Sequence, residues 1–319
     1  MEAATNKAKE FFDRAKEVLG TKGLIAAGAV SSLLIYKFGK KVVRGQGKAI
    51  KGEIAFITGA ASGIGKQLAK NLAALGAKVI IADINLEAAN ALRDELNGKG
   101  YQTIAVHCDV TNRASVSLAA ETAKQQFGDP TILINNAGIV SGKSFTETSL
   151  EVMERTMKVN VISHFYTLKE FLPAMIAADK GHIVTIASAA GLSGTGGLVD
   201  YCASKFAAVG LDEALRSELR FKNSKVKTTC VCPYFINTGM FEGVKLSWRF
   251  LFPLLDETWV GKRIVEAIRH NEPVLVMPSA VNMTYVMRAF LPTTWMDHVS
   301  HIMGFNQAMS TFKGRGAAL

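Results

Sequence analysis

From residue 53 to residue 280 the chain switches regularly between two hydrophobic patterns. Short, nearly continuous apolar and β-branched runs stand at 53–58, 78–83, 103–107, 131–134, 181–187, 225–231 and 274–277. Runs of that length without polar alternation read as strands covered on both faces. Longer segments at 65–75, 86–97, 115–127, 150–178 and 203–221 lie between them and read as crossover helices. The alternation predicts an α/β domain over 52–280, a doubly wound parallel sheet of about seven strands with helices above and below.

The chain ahead of that domain has a different character. Residues 1–20 carry the spacing of a short charged amphipathic helix, and 23–36 then hold no charge between Lys22 and Lys37. Fourteen residues rise about 21 Å as a helix, against a hydrocarbon core of ~30 Å. Such a segment spans with both lysines snorkelling, lies in the interface, or forms a re-entrant anchor. No small-residue cleavage pattern follows and basic residues continue, which argues against a cleaved signal peptide. After the domain, 281–319 form an apolar extension. Its stretch 283–305 includes Met287, Phe290, Leu291 and Trp295, with only Arg288 and Asp297 charged. It reads as a second membrane-contacting face or as part of a lid.

Charge sharpens this division. Of the ten net positive charges, seven fall in 1–51, where eleven Lys and Arg meet four Asp and Glu. Basic residues flanking an apolar segment point to a membrane surface, not to nucleic acid, and no nucleic-acid-binding module is present. They are balanced about the two ends of 23–36, so charge bias assigns no orientation. The four cysteines, Cys108, Cys202, Cys230 and Cys232, have neither metal-ligand spacing nor a disulfide framework. They read as reduced, packed thiols of a cytosol-facing domain.

Two stretches carry chemistry. Directly after the first strand stands Thr58-Gly59-Ala60-Ala61-Ser62-Gly63-Ile64-Gly65. Glycines between strand and helix permit a tight turn and close approach of backbone to a diphosphate, which meets the positive end of the helix. The second strand ends in Asp83, a carboxylate suited to ribose hydroxyls and hostile to a 2′-phosphate. With Ser62 where a basic residue would welcome that phosphate, the turn favours NAD over NADP. Further on, Tyr201 and Lys205 share one helix face, and Ser188 ends an apolar strand. A phenol ionises near pH ~10, so a fixed cation beside it is expected to lower its pKa into useful range.

Across roughly 52–280 the chain resembles the short-chain dehydrogenase/reductases. The matching motifs are Thr58 to Gly65, Cys108-Asp109-Val110, Asn135-Asn136-Ala137-Gly138, Asn160 in Lys158-Val159-Asn160-Val161, Ser188, and Tyr201 with Lys205. The resemblance implies a Rossmann-type fold, with Asp109 and Val110 beside the adenine and Asn135 to Gly138 supporting cofactor and sheet. It implies Tyr201 as the acid/base, Lys205 on the nicotinamide ribose, Ser188 on the substrate oxygen and Asn160 holding a water. One departure stands out: where the family usually has Pro-Gly after the sixth strand, this chain has Pro233-Tyr234. Pro233, Ile236 and Thr238 still match the positions that hold the carboxamide.

The Pro-Tyr-Phe version, the N-terminal apolar segment and the tail 306–315 are similar to the membrane-bound branch of epidermal-type retinol dehydrogenases and lipid-droplet 17β-hydroxysteroid dehydrogenases. The implied activity is NAD-dependent interconversion of a hydrophobic, retinol-like alcohol and its carbonyl. The alternatives are a 17β-hydroxysteroid dehydrogenase, or a lipid-droplet surface protein with vestigial catalysis. The implied location is the endoplasmic reticulum membrane or the lipid droplet, with the catalytic domain facing the cytosol, and family habit suggests a homodimer through 150–178 and 203–221. The substrate lid is expected at 240–256, with Ser188, Tyr201, Tyr234, Met240 and Trp248 against the substrate.

Overall fold

The computed structural model describes residues 45–244, 252–302, 304, 309, 311 and 312. The apolar segment 23–36 and Trp248 lie outside the described residues. Within 47–281 seven strands form one parallel sheet: β1 (Ile54–Thr58), β2 (Lys78–Asp83), β3 (Thr103–His107), β4 (Ile132–Asn135), β5 (His182–Ile186), β6 (Lys227–Pro233) and β7 (Val274–Met277). Their spatial order is β3-β2-β1-β4-β5-β6-β7. The chain builds outward from β1 through β2 to β3, then returns to the other side of β1 for β4. That reversal leaves a crevice at the carboxyl ends of β1 and β4, where ligands of such sheets bind.

Helices cover both faces, as the unbroken apolar strands require. On one side α1 (Gly63–Ala74), α2 (Leu86–Asn97) and α7 (Glu257–Arg269) pack Leu68, Leu72, Leu92 and Ile264 against Ile57, Ile81, Ile134 and Val231. On the other, α3 (Arg113–Phe127), α5 (Ser163–Ala177) and α6 (Val199–Phe221) pack Val116, Phe171, Met175 and Leu219 against Phe56, Ile80, Leu133 and Ile183. The rings of Phe56 and Phe171 meet at 4.7 Å between centroids.

The long segment 150–178 is not one regular helix. It consists of α4 (Leu150–Met157), a five-residue π turn (Lys158–Ile162) and α5. Helix α6 begins at Val199, ahead of the expected 203, which places Tyr201 in its first turn. The 283–305 stretch contains α8 (Met283–Phe290) and α9 (Thr293–Ile302), separated at Leu291 and Pro292. Residues 282–299 fall outside the compact unit that holds the sheet. Among the described residues no helix is long and apolar enough to cross a membrane.

The entry of the chain into the domain is fixed by a directed relay. Lys48 Nζ meets Nδ1 of buried His182 at 2.7 Å, and His182 Nε2 meets Thr229 Oγ1 at 2.8 Å. Thr229 donates onward to the Glu272 carbonyl at 2.7 Å, and the Glu272 carboxylate takes both bonds from Arg263 Nη2, at 3.0 and 2.8 Å. Burial holds Lys48 at about 8, with Lys180 and Lys227 adding to the effect and Glu53 opposing it.

Candidate active site

The glycine turn after β1 is built by close backbone packing. Gly59 has φ +61° and Gly63 φ +51°, the left-handed region that favours glycine. A Cβ on Gly59 would stand 2.9 Å from Ala137 Cα. One on Gly65 would run into the Gly59 carbonyl and stand 2.6 Å from Asn136 Nδ2, so α1 starts hard against the turn. Asn136 fastens this arrangement by donating from Nδ2 to the carbonyls of Thr58 and Gly59, each at 2.9 Å. Thr58 Oγ1 in return accepts from the Asn136 and Ala137 amides at 3.0 and 3.1 Å. Ser62 takes the N-cap position of α1 in extended backbone, and Ile64 packs on the core.

Asp83 does more than end a strand. Its Oδ2 accepts from the Ala61 amide and its Oδ1 from the Asn85 amide, both at 2.9 Å. The carboxylate therefore ties the glycine turn to the loop after β2. Asp109 Oδ1 accepts from the amide and the hydroxyl of Thr111, at 2.9 and 2.8 Å, while Val110 is buried on the α3 and α5 side. Asn135 accepts from Thr167 Oγ1 at 2.7 Å, holding β4 to α5. A Cβ on Gly138 would be 3.6 Å from Lys205 Nζ, so this loop reaches the other half of the site. Cradle and carboxylates fit a dinucleotide: a turn without side chains, a helix N-terminus behind it, and acids at the ends of β2 and β3.

Ser188, Tyr201 and Lys205 converge at the ends of β5 and β6. Ser188 Oγ accepts from the Ala190 amide at 3.1 Å and donates to the Pro233 carbonyl at 3.4 Å. Lys205 is buried and donates from Nζ to the Ile186 carbonyl at 2.8 Å, with the amine 5.6 Å from the Tyr201 ring centre. Burial lowers Lys205 to about 8. The expected depression of the Tyr201 phenol by this lysine is not found. Burial raises Tyr201 well above its ordinary value, and the opposing pull comes from Ser188. The ring is nearly closed off from water while the ammonium is turned to a carbonyl, so desolvation outweighs attraction.

Asn160 is fully buried within the π turn, a kind of helix irregularity that recurs at functional sites. Its side chain makes three bonds: Oδ1 accepts from the Ile139 amide at 2.9 Å, and Nδ2 donates to the Ile139 carbonyl and Ser204 Oγ, each at 3.0 Å. That side chain welds the loop after β4 to α6.

Around Tyr201 the wall is aromatic. Its ring meets Phe241 edge-on at 6.1 Å, Phe241 meets Phe235 at 5.0 Å, and Tyr234 lies 4.8 Å from Phe235. Burial raises the Tyr234 phenol, and Met240 packs on the same cluster. Pro233 pairs with Met277 in the sheet, buried Ile236 bridges Leu255, and the Thr238 amide donates to the Ile236 carbonyl at 2.9 Å. Two participants escaped sequence reasoning. Asp200, next to the tyrosine, is buried and accepts from Ser141 Oγ at 2.7 Å and Thr156 Oγ1 at 2.9 Å. Met309, in the tail, is buried in the Tyr201 cluster. A separate apolar pocket of about 570 Å³ lies against α4 and α6, lined by Phe145, Met153, Met157, Ile162, Val199 and Ala203 among others.

Comparison with known proteins agrees with this geometry. The short chain dehydrogenase family model matches residues 53–247. The chain is 43% identical to human epidermal retinol dehydrogenase 2 over 267 residues, 83% of this chain and 86% of that protein. It is 41% identical over 277 residues to short-chain dehydrogenase/reductase family 16C member 6 of Bos taurus, covering 85% and 87%. A Burkholderia phymatum short chain dehydrogenase/reductase in complex with NAD superposes with TM-score 0.67 at 29% identity, over 81% of this chain and 97% of that one. A metagenomic short-chain oxidoreductase in complex with NADP superposes with TM-score 0.60 at 25% identity, over 72% and 96%. Sheet order, glycine turn and sequence likeness along most of the length agree: this oxidoreductase belongs to the short-chain dehydrogenases.

Proposed function

We propose that the protein is a membrane-associated, NAD-dependent dehydrogenase of hydrophobic, retinol-like alcohols. The observation that carries this reading is the meeting of Ser188, Tyr201 and Lys205 under an aromatic wall, at the crevice beside the glycine cradle. Gly59, Ser62, Gly63, Ile64 and Gly65 would hold the diphosphate, Asp83 the adenosine ribose, and Asp109 and Val110 the adenine. The segment from Asn135 to Gly138, with Lys205 and Tyr201, would border the nicotinamide ribose, and Pro233, Ile236 and Thr238 the carboxamide. NAD supplies the hydride acceptor.

Ser188 holds the substrate oxygen and Tyr201 exchanges its proton. Lys205, below its ordinary pKa yet still largely protonated near neutrality, offers the positive charge that a departing phenolic proton requires. Asp83 makes NAD the favoured dinucleotide by repelling a 2′-phosphate. The wall of Phe235, Phe241, Tyr234 and Met240 suits an apolar alcohol, and the name of the human relative is consistent with retinol.

The remaining parts of the reading concern placement. The domain 52–280 carries catalysis, with its lid at 240–256. The segment 23–36 anchors the chain to the endoplasmic reticulum or lipid droplet, and 281–319 adds an apolar contact, supported by exposed Met283, Tyr285 and Phe290 on α8. Exposed Leu150, Phe165 and Phe206 on α4, α5 and α6 support a homodimer through that face. The test is a panel of retinol, steroid and long-chain alcohols offered with NAD to detergent-solubilised protein. NADH formation strongest with retinol is expected. A steroid preference would move the assignment to a hydroxysteroid dehydrogenase, and no turnover would refute the enzymatic reading.

A further inference from the structure

Three tail residues, Met309, Thr311 and Phe312, each meet a glycine of the catalytic domain. Gly142, in the loop after β4, has φ +65°, and a Cβ there would overlap the ring of Phe312. Gly197, in the approach to α6, has φ +73°, and a Cβ there would stand 3.1 Å from Met309 Cβ. The carbonyl of Gly243, after β6, accepts from Thr311 Oγ1 at 2.6 Å. Met309 is 7% exposed and shares one apolar cluster with Val140, Leu198, Tyr201 and Phe235.

Such contacts are specific. Glycine spares the side chain where the tail must come closest, and at Gly142 and Gly197 the backbone conformation also disfavours other residues. The flexible Met309 thioether and the Phe312 ring, packed in the cluster that holds Tyr201, form an adaptable apolar surface, suited to a long or flat hydrocarbon. A small alcohol needs no such wall.

We propose that Met309 and Phe312 are specificity-determining residues, forming the tail-borne wall that the hydrocarbon body of the substrate contacts while its hydroxyl meets Tyr201. The inference rests on the dehydrogenase reading, so its test includes a measurement that needs no turnover. Met309→Ala and Phe312→Ala in the full-length, detergent-solubilised protein are assayed with retinol and with cyclohexanol. The ratio of kcat/KM for retinol to that for cyclohexanol is expected to fall about tenfold, mainly through KM for retinol. A ratio within about fivefold of wild type overturns the proposal, because a merely structural residue lowers both alike.

Thr311→Val, which removes only the bond to Gly243, is the second variant and should move the ratio in the same direction if either truncation fails to fold. Retinol binding is followed separately by its fluorescence with NADH present. Weakened binding in the variants with no oxidation by the wild type would uphold the wall and refute the dehydrogenase reading. Unchanged binding with normal wild-type oxidation would refute the wall alone.

Discussion

Replacing Asp83 tests the choice of cofactor with the largest calculable effect. Asp83 accepts two backbone amides, from Ala61 and Asn85, both at 2.9 Å. Hydrogen bonds to a charged group contribute about 1.5–3 kcal/mol each, so Asp83→Ala should loosen the glycine turn and lower the melting temperature. Loss of one ribose hydroxyl bond of that strength weakens NADH by about ten- to a hundredfold. For NADPH the sign is opposite. A carboxylate about 4 Å from a phosphate charge, at an effective dielectric constant of about 20, repels it by about 4 kcal/mol, roughly a thousandfold in Kd. Asp83→Ala should therefore shrink the NADPH-to-NADH ratio of Kd by two powers of ten or more, read by cofactor fluorescence titration at fixed ionic strength. Asp83→Asn removes the charge but keeps one carbonyl acceptor, so it should relax the ratio with less loss of NADH affinity. An unchanged ratio in a folded Asp83→Ala protein would refute the assignment of this carboxylate to the ribose.

Two further substitutions probe the scaffold. Gly65→Ala places a methyl group against the Gly59 carbonyl and Asn136, and should cost about 1–3 kcal/mol in denaturant unfolding while weakening NADH. Unchanged stability and affinity would show that the turn tolerates a side chain. Lys48→Met leaves the buried His182 nitrogen without its donor and should cost about 1–3 kcal/mol. Lys48 has its folded pKa at about 8 against an ordinary value of 10.5. The unfolded chain therefore binds the extra proton between those values, and the lysine's contribution to stability rises with pH through that window. Wild type should gain on Lys48→Met when denaturation is compared at the two ends of the window, and parallel curves would contradict the burial of this amine.

The sheet was the most legible part of the fold. The runs at 78–83, 103–107 and 274–277 coincide with β2, β3 and β7, because strands covered on both faces leave an unbroken apolar signature. The π turn left no such mark. Its residues keep helical periodicity, and the irregularity lies in the backbone pairing of Lys158–Ile162, which residue types do not report. Tyr201 and Lys205 were legible as a pair from helical spacing, but the direction of the tyrosine shift was not. Burial decides it, and burial comes partly from Phe241 and Met309, which no local pattern connects to α6. Asp200 was hidden for the same reason: its partners Ser141 and Thr156 come from a loop and a helix far from it in sequence. The relay from Lys48 through His182 to Thr229 likewise joins residues that each look ordinary alone.

The central claim is that Tyr201 exchanges the proton of the alcohol. It is tested most directly by Tyr201→Phe, which keeps the ring and its packing on Phe241 while removing the hydroxyl. The decisive measurement pairs NADH titration with NAD-dependent turnover of the best alcohol in the same preparation. The account predicts NADH affinity within about threefold of wild type and a loss of turnover of about a hundredfold or more, the range of general acid–base catalysis. Turnover near the wild-type rate with NADH still bound would contradict it.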